Sequence, residues 1–87
     1  MEPGMKTRTL PPLDAGVIEQ VRASWRLTDR QTAVTARVAR GLSNKEVAAE
    51  LQCEESTVEK HLRDVFRKTG FQGRVALAVS VWIASRG

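Results

Sequence analysis

Two capping boxes set a narrow frame for what this chain can fold into. Thr28-Asp29-Arg30-Gln31 and Ser43-Asn44-Lys45-Glu46 each put a hydroxyl residue three positions ahead of a Gln or Glu. In such a pair the hydroxyl oxygen accepts from the backbone N–H three residues on, and the longer side chain reaches back to the first residue's own N–H. Each box therefore starts a helix. Gly41 lies between them and stops the first helix before the second begins. Short helices joined by tight turns fit this frame, and the apolar content, mostly Ala, Val and Leu, suits a helical bundle better than a sheet.

Apolar periodicity fills in the rest. Asp14 is the expected N-cap of a helix to Arg26, with Val17, Ile18, Val21 and Trp25 recurring at helical spacing. That stripe must cover either the chain's own core or a partner. After the first box, Val34, Val38 and Leu42 lie along one face. After the second, Val47, Ala48 and Leu51 turn inward and the helix ends near Gln52. Cys53 then sits in a turn as a small buried hydrophobe. A further helix begins between Glu54 and Ser56, with Ser56 and Glu59 spaced as a third box. Its inner face is Val58, Leu62, Val65, Phe66 and Thr69, Lys68 suits its C-terminal dipole, and Gly70 ends it. The last helix runs from Gly73 or Arg74 to about Ser85 and is apolar almost all round. Val75, Val79, Trp82 and Ile83 group on one side, and Leu77, Ala78 and Val81 on another, the side expected to serve the core.

The chain has 87 residues, room for one domain and one small core. Its net charge of +4 favours a polyanionic partner only weakly. The single cysteine, Cys53, permits no internal disulfide and no cysteine-based zinc site. All three prolines fall in residues 1–12, which read as a flexible tail or linker; that stretch is polar and lacks the apolar core of a signal peptide. No run approaches the ~20 apolar residues of a spanning helix, so a cytoplasmic setting without membrane contact is expected. No nucleophile–base pair, paired carboxylates, phosphate loop or metal cluster is visible. Neither an enzyme nor a metal or cofactor is expected.

Two short helices, at about 44–52 and 56–69, joined by a tight turn give the outline of a helix-turn-helix. In that arrangement the first helix crosses the DNA backbone and the second enters the major groove. At 3.6 residues per turn, Ser56, Lys60, Arg63 and Arg67 line up opposite the apolar stripe of the second helix. Arg and Lys there can read guanine edges or hold phosphates. A solvated charged face explains the same spacing equally well.

A longer series of residues adds to this. Leu27-Thr28 with Arg30, Gly41-Leu42-Ser43-Asn44-Lys45-Glu46-Val47-Ala48, Thr57-Val58 with His61-Leu62, Arg67-Lys68 with Gly70, and then Arg74 together resemble the LuxR/GerE-type transcription regulators. The likeness spans about Leu27 to Ser80. It implies an all-α, tetrahelical helix-turn-helix domain over residues 27–87, here with an additional N-terminal helix over 13–26. It implies double-stranded DNA as partner, bound by a homodimer whose reading helices lie ~34–36 Å apart, with RNA polymerase as a further candidate partner. Glu59, Lys60 and Arg63 fall where such domains read bases. Asn44, Lys45, Ser56, Thr57, Arg67, Lys68 and Arg74 fall where they meet the DNA backbone. Val75, Val79, Trp82 and Ile83 fall at the dimer contact, unless the N-terminal helix folds back over them. Members of this family usually carry a receiver or ligand-binding domain upstream; this chain is either a stand-alone member or the output part of a longer one.

The sequence also departs from the family pattern. Glu59 stands where a Lys or Arg is common, and between Glu54 and Thr69 four acids offset Lys60, Arg63, Arg67 and Lys68. Glu59 can pair with Arg63 at the (i, i+4) spacing, accept from a cytosine amino group, or mark a domain that has lost strong DNA binding. The pairing is the plainest expectation. Gln31 replaces a usual Glu but still completes its box, and Thr69 replaces a Leu and should loosen packing. His61 is expected to pack at the border of the inner face, hydrogen-bonded to a neighbouring helix. Two other functions fit part of the pattern. One is a protein-interaction adaptor that keeps the fold and pairs with another regulator. The other is a sigma-factor-like promoter-reading domain.

Overall fold

The computed structural model describes residues 10–86, and these contain five helices: α1 (Ala15–Ser24), α2 (Asp29–Ala39), α3 (Asn44–Leu51), α4 (Glu55–Thr69) and α5 (Arg74–Ala84). Most of the expected tail over residues 1–12 lies outside the described residues. Its described end is fastened: Leu10 N–H donates to Arg40 O at 2.8 Å, and Arg40 Nε returns a bond to Leu10 O at 3.0 Å.

Both capping boxes form in full. Gln31 N–H donates to Thr28 Oγ1 at 3.1 Å and Thr28 N–H to Gln31 Oε1 at 3.0 Å. Glu46 N–H donates to Ser43 Oγ at 3.2 Å and Ser43 N–H to Glu46 Oε1 at 2.7 Å. Asp14 caps α1 by accepting from Gly16 N–H. The third box does not form. Gln52 ends α3 in the left-handed conformation, at φ 56°, and this tight turn makes Glu54 the N-cap of α4. Thr57 and Val58 N–H then bond to Glu54 O, which places Ser56 inside the first turn rather than ahead of it. Gly70 closes α4 at φ 80°, a conformation that costs glycine little.

Helix α2 is the hub, packed against each of the other four helices. Val34 and Val38 from α2, Val47 from α3, Val58, Leu62 and Val65 from α4, and Leu77 from α5 share one core with Leu27 and Leu42. The stripe on α1 covers this core: Val21 is buried, and Val17 and Trp25 pack at its edge. Trp25 meets the ring of Phe71 edge-on with centroids 5.1 Å apart, a favoured aromatic geometry. Cys53 is half-buried against the same cluster.

Leu77 and Val81 are the buried residues of α5. Ala78, expected beside them in the core, is only half-buried. It lines a groove with Val38, Ala39, Val79 and Trp82. Trp82 shares that groove because its Nε1 donates to Ala39 O at 2.6 Å, which turns the indole onto α2.

Thr35 is a polar residue in an apolar place. Its hydroxyl oxygen is buried with no hydrogen-bond partner among the described residues, beside a small void lined by Ile18, Val21, Ala36 and Val81. An unmet buried hydroxyl costs about 1–3 kcal/mol. Thr35→Val keeps the shape and removes that cost, so it is expected to stabilise the chain by about 1 kcal/mol. Denaturant unfolding checks this, and a loss of stability would show that the hydroxyl is paired.

Candidate nucleic-acid interface

The turn at Gln52-Cys53-Glu54 joins α3 to α4, and α4 packs its Val58, Leu62 and Val65 face against α2 and α3. The opposite face is left open by the other described helices. Ser56, Lys60, Arg63 and Arg67 are all exposed there, with Glu59 exposed on the flank nearer Arg63. Helix α1 packs on α2 and α5 and leaves this face uncovered. Lys45 is exposed in the first turn of α3, and Thr57 is half-buried beside the α3–α4 turn.

The charges on this face are engaged unequally. Arg67 Nη1 donates to Asp64 Oδ1 at 3.0 Å, one turn back along the helix. Lys60 and Arg63 make no ion pair with any described residue, so the expected Glu59–Arg63 pair does not form. Such an exposed pair is worth only ~0.2–0.5 kcal/mol in an isolated helix, so small differences decide which ones form, and on this helix Arg67–Asp64 forms while Glu59–Arg63 does not. His61 is half-buried, and its ring makes no hydrogen bond to a described residue, where one to a neighbouring helix was expected.

Besides Arg67, three more of the residues expected at the DNA backbone have structural partners. Lys68 Nζ donates to Arg26 O and to Gln31 Oε1, both at 2.8 Å, and so ties the end of α4 to the loop before α2. Gln31 Oε1 thereby serves its own cap and this brace together. Arg74 Nη1 donates to Asn44 Oδ1 at 2.6 Å and Nη2 to Leu42 O at 2.8 Å. The guanidinium fork fastens the start of α5 to the turn before α3, and it occupies the Asn44 side chain as well. An Arg37–Glu50 bond of 2.8 Å also joins α2 to α3, a pair that sequence reasoning missed because its members lie thirteen residues apart.

On α5, Val75 is 78% exposed, Val79 50% and Ile83 63%, and Leu10 edges the groove beside them. Helix α1 meets α5 on the Val81 side and does not fold over these residues. Among the described residues, no group of three or more His, Cys, Asp or Glu side chains is placed to hold a metal ion, and no helix is long and apolar enough to cross a membrane.

Comparison with known proteins bears on this arrangement. The model of the GerE family, bacterial regulatory proteins of the luxR family, matches residues 26–81, which hold α2, α3, α4 and most of α5 and leave α1 outside. A nitrate/nitrite response regulator protein homolog of Haemophilus influenzae is 47% identical over 53 residues, 61% of this chain and 26% of its own length. The nitrate/nitrite response regulator protein NarP of Escherichia coli is 39% identical over 61 residues, 70% of this chain and 28% of its own length. Transcriptional regulatory protein LnrK of Bacillus subtilis is 34% identical over 62 residues, 71% of this chain and 28% of its own length. The chain thus spans about a quarter of the length of these relatives. No solved structure matches it.

Proposed function

The chain belongs to the luxR family of bacterial regulatory proteins, DNA-binding regulators of transcription, and from that premise we propose that it is a sequence-specific, homodimeric regulator that lays α4 in the major groove. One observation carries the reading. The face of α4 opposite the core offers Ser56, Lys60, Arg63 and Arg67 in a line, and no other described helix covers it. Lys60 and Arg63, which make no ion pair with a described residue, reach base edges, with Glu59 at their flank. Lys45, Ser56, Thr57 and Arg67 meet phosphates. Asn44, Lys68 and Arg74 act at the backbone chiefly by bracing: they hold the turn before α3 and the end of α4 in place for the contacts of others.

The second subunit docks on α5. Val75, Val79 and Ile83 present a contiguous apolar face, and patches of that kind mark interfaces. Trp82 contributes at its edge while bonded to α2. Such a role places the chain in the bacterial cytoplasm, with RNA polymerase as a further candidate partner. Within the chain, residues 13–26 act as a helical cover on the DNA-binding unit of residues 27–87.

The exposed apolar face of α5 and the offset charges of α4 also suit a protein-interaction adaptor, and salt separates the two readings. Binding to duplex DNA that neutralises about six phosphates falls roughly a thousandfold between 50 and 200 mM salt. We expect a loss of that order in a fluorescence anisotropy titration. Absence of binding to any duplex at low ionic strength would overturn the DNA reading.

A further inference from the structure

We propose that Glu59 reads a cytosine, and so makes a C·G pair the required pair at one position of each half-site. This rests on the reading that α4 enters the major groove, and it adds what one residue there selects.

Glu59 is exposed on α4, one residue before Lys60 and one turn before Arg63. It has the spacing to pair with Arg63 and does not. It borders a notch formed with Asn44, Leu62, Arg63, Phe66 and Arg74. Both terminal nitrogens of Arg74 donate elsewhere, to Asn44 and Leu42, and no ion pair joins Arg74 to Glu59. A carboxylate without an ion pair to any described residue therefore lies beside two cations that also have none, on the surface offered to DNA.

A carboxylate only accepts hydrogen bonds. Phosphate oxygens repel it, so the DNA backbone is closed to Glu59. Guanine and thymine show acceptors, and thymine a methyl group, in the major groove; the donors there are the amino groups of cytosine and adenine. Adenine sets its N7 acceptor next to that amino group, where it opposes the second carboxylate oxygen. Cytosine has no acceptor of its own on that edge. Lys60 and Arg63 suit guanine O6 and N7. The three side chains together fit neighbouring pairs rich in guanine and cytosine.

The test is selection of bound sites from random duplexes by the 87-residue chain at moderate salt, run in parallel with Glu59→Gln and Glu59→Ala. Glu59 is exposed, so both variants should melt as the parent does, which circular dichroism checks. The parent should enrich cytosine at one position of each half-site. Glu59→Gln should shift that position to adenine, because a glutamine amide pairs with N6 and N7 together. Glu59→Ala should make the position indifferent, with discrimination there falling about tenfold. If Glu59→Ala enriches the same sequences as the parent, merely binding all of them more tightly, Glu59 only repels DNA and the assignment is wrong while the DNA reading stands. If the parent binds no duplex at low salt, the DNA reading falls and this assignment with it.

Discussion

Leu77→Ala is expected to destabilise the chain by about 3 kcal/mol and to lower its thermal midpoint by roughly 10–25 °C. Leu77 heads the fully buried side chains by size, with 0% of its surface exposed. Helix α5 buries only Leu77 and Val81, so most of its hold on α2 passes through these two side chains. Removing the larger one leaves a cavity in a core of Val and Leu residues that cannot all move in to fill it. Two polar links then weaken with it: the Arg74 fork onto Asn44 and Leu42, and the Trp82 bond to Ala39. Domains of this size hold only ~5–15 kcal/mol in all, so the change is a large share of the total. Val75→Ala, on the exposed side of the same helix, serves as control and should stay within about 0.5 kcal/mol in the monomer. Parallel denaturant and thermal unfolding measure both. Similar effects at Leu77 and Val75 would mean that α5 is not anchored as described.

The parts of this structure that were legible in the sequence are those whose partners lie within a turn of one another. Each capping box closes between residues three apart, so Thr28–Gln31 and Ser43–Glu46 could be read directly. The same pattern at Ser56 and Glu59 misled because a left-handed Gln52 brings the chain into helix two residues sooner, and nothing in that stretch marks Gln52 as left-handed. Family resemblance put Lys68 and Arg74 at the DNA backbone. Their partners Gln31 and Asn44 lie 37 and 30 residues away, beyond any local pattern. Trp82 and Ala39, 43 residues apart, repeat the lesson. In α5, apolar on nearly every side, periodicity picked out Leu77 and Val81 correctly but could not tell that Ala78 and Trp82 share a groove. The open line from Ser56 to Arg67 was visible as a face. Which of its charges are unpaired was not, since exposed ion pairs form or fail by a few tenths of a kcal/mol.

Those unpaired charges give the second large effect. Arg63→Ala is expected to lower the preference for the best selected site over random duplex by roughly ten- to a hundredfold, the scale of a lost bidentate contact to guanine. Lys60→Ala should act in the same direction. Neither side chain makes an ion pair with a described residue, so neither loss should disturb the fold. Lys45 is also exposed, but it lies in the first turn of α3, the helix that crosses the DNA backbone in this arrangement. A contact to phosphate carries no sequence information. Lys45→Ala should therefore weaken every duplex alike and lower the salt slope by about one for each subunit. Anisotropy titrations of the three variants against the selected site and a scrambled duplex, each at several salt concentrations, separate the two patterns. Equal losses on both duplexes for Arg63→Ala would move Arg63 from the bases to the phosphates. A selective loss for Lys45→Ala would mean that α3, and not α4, carries the reading face.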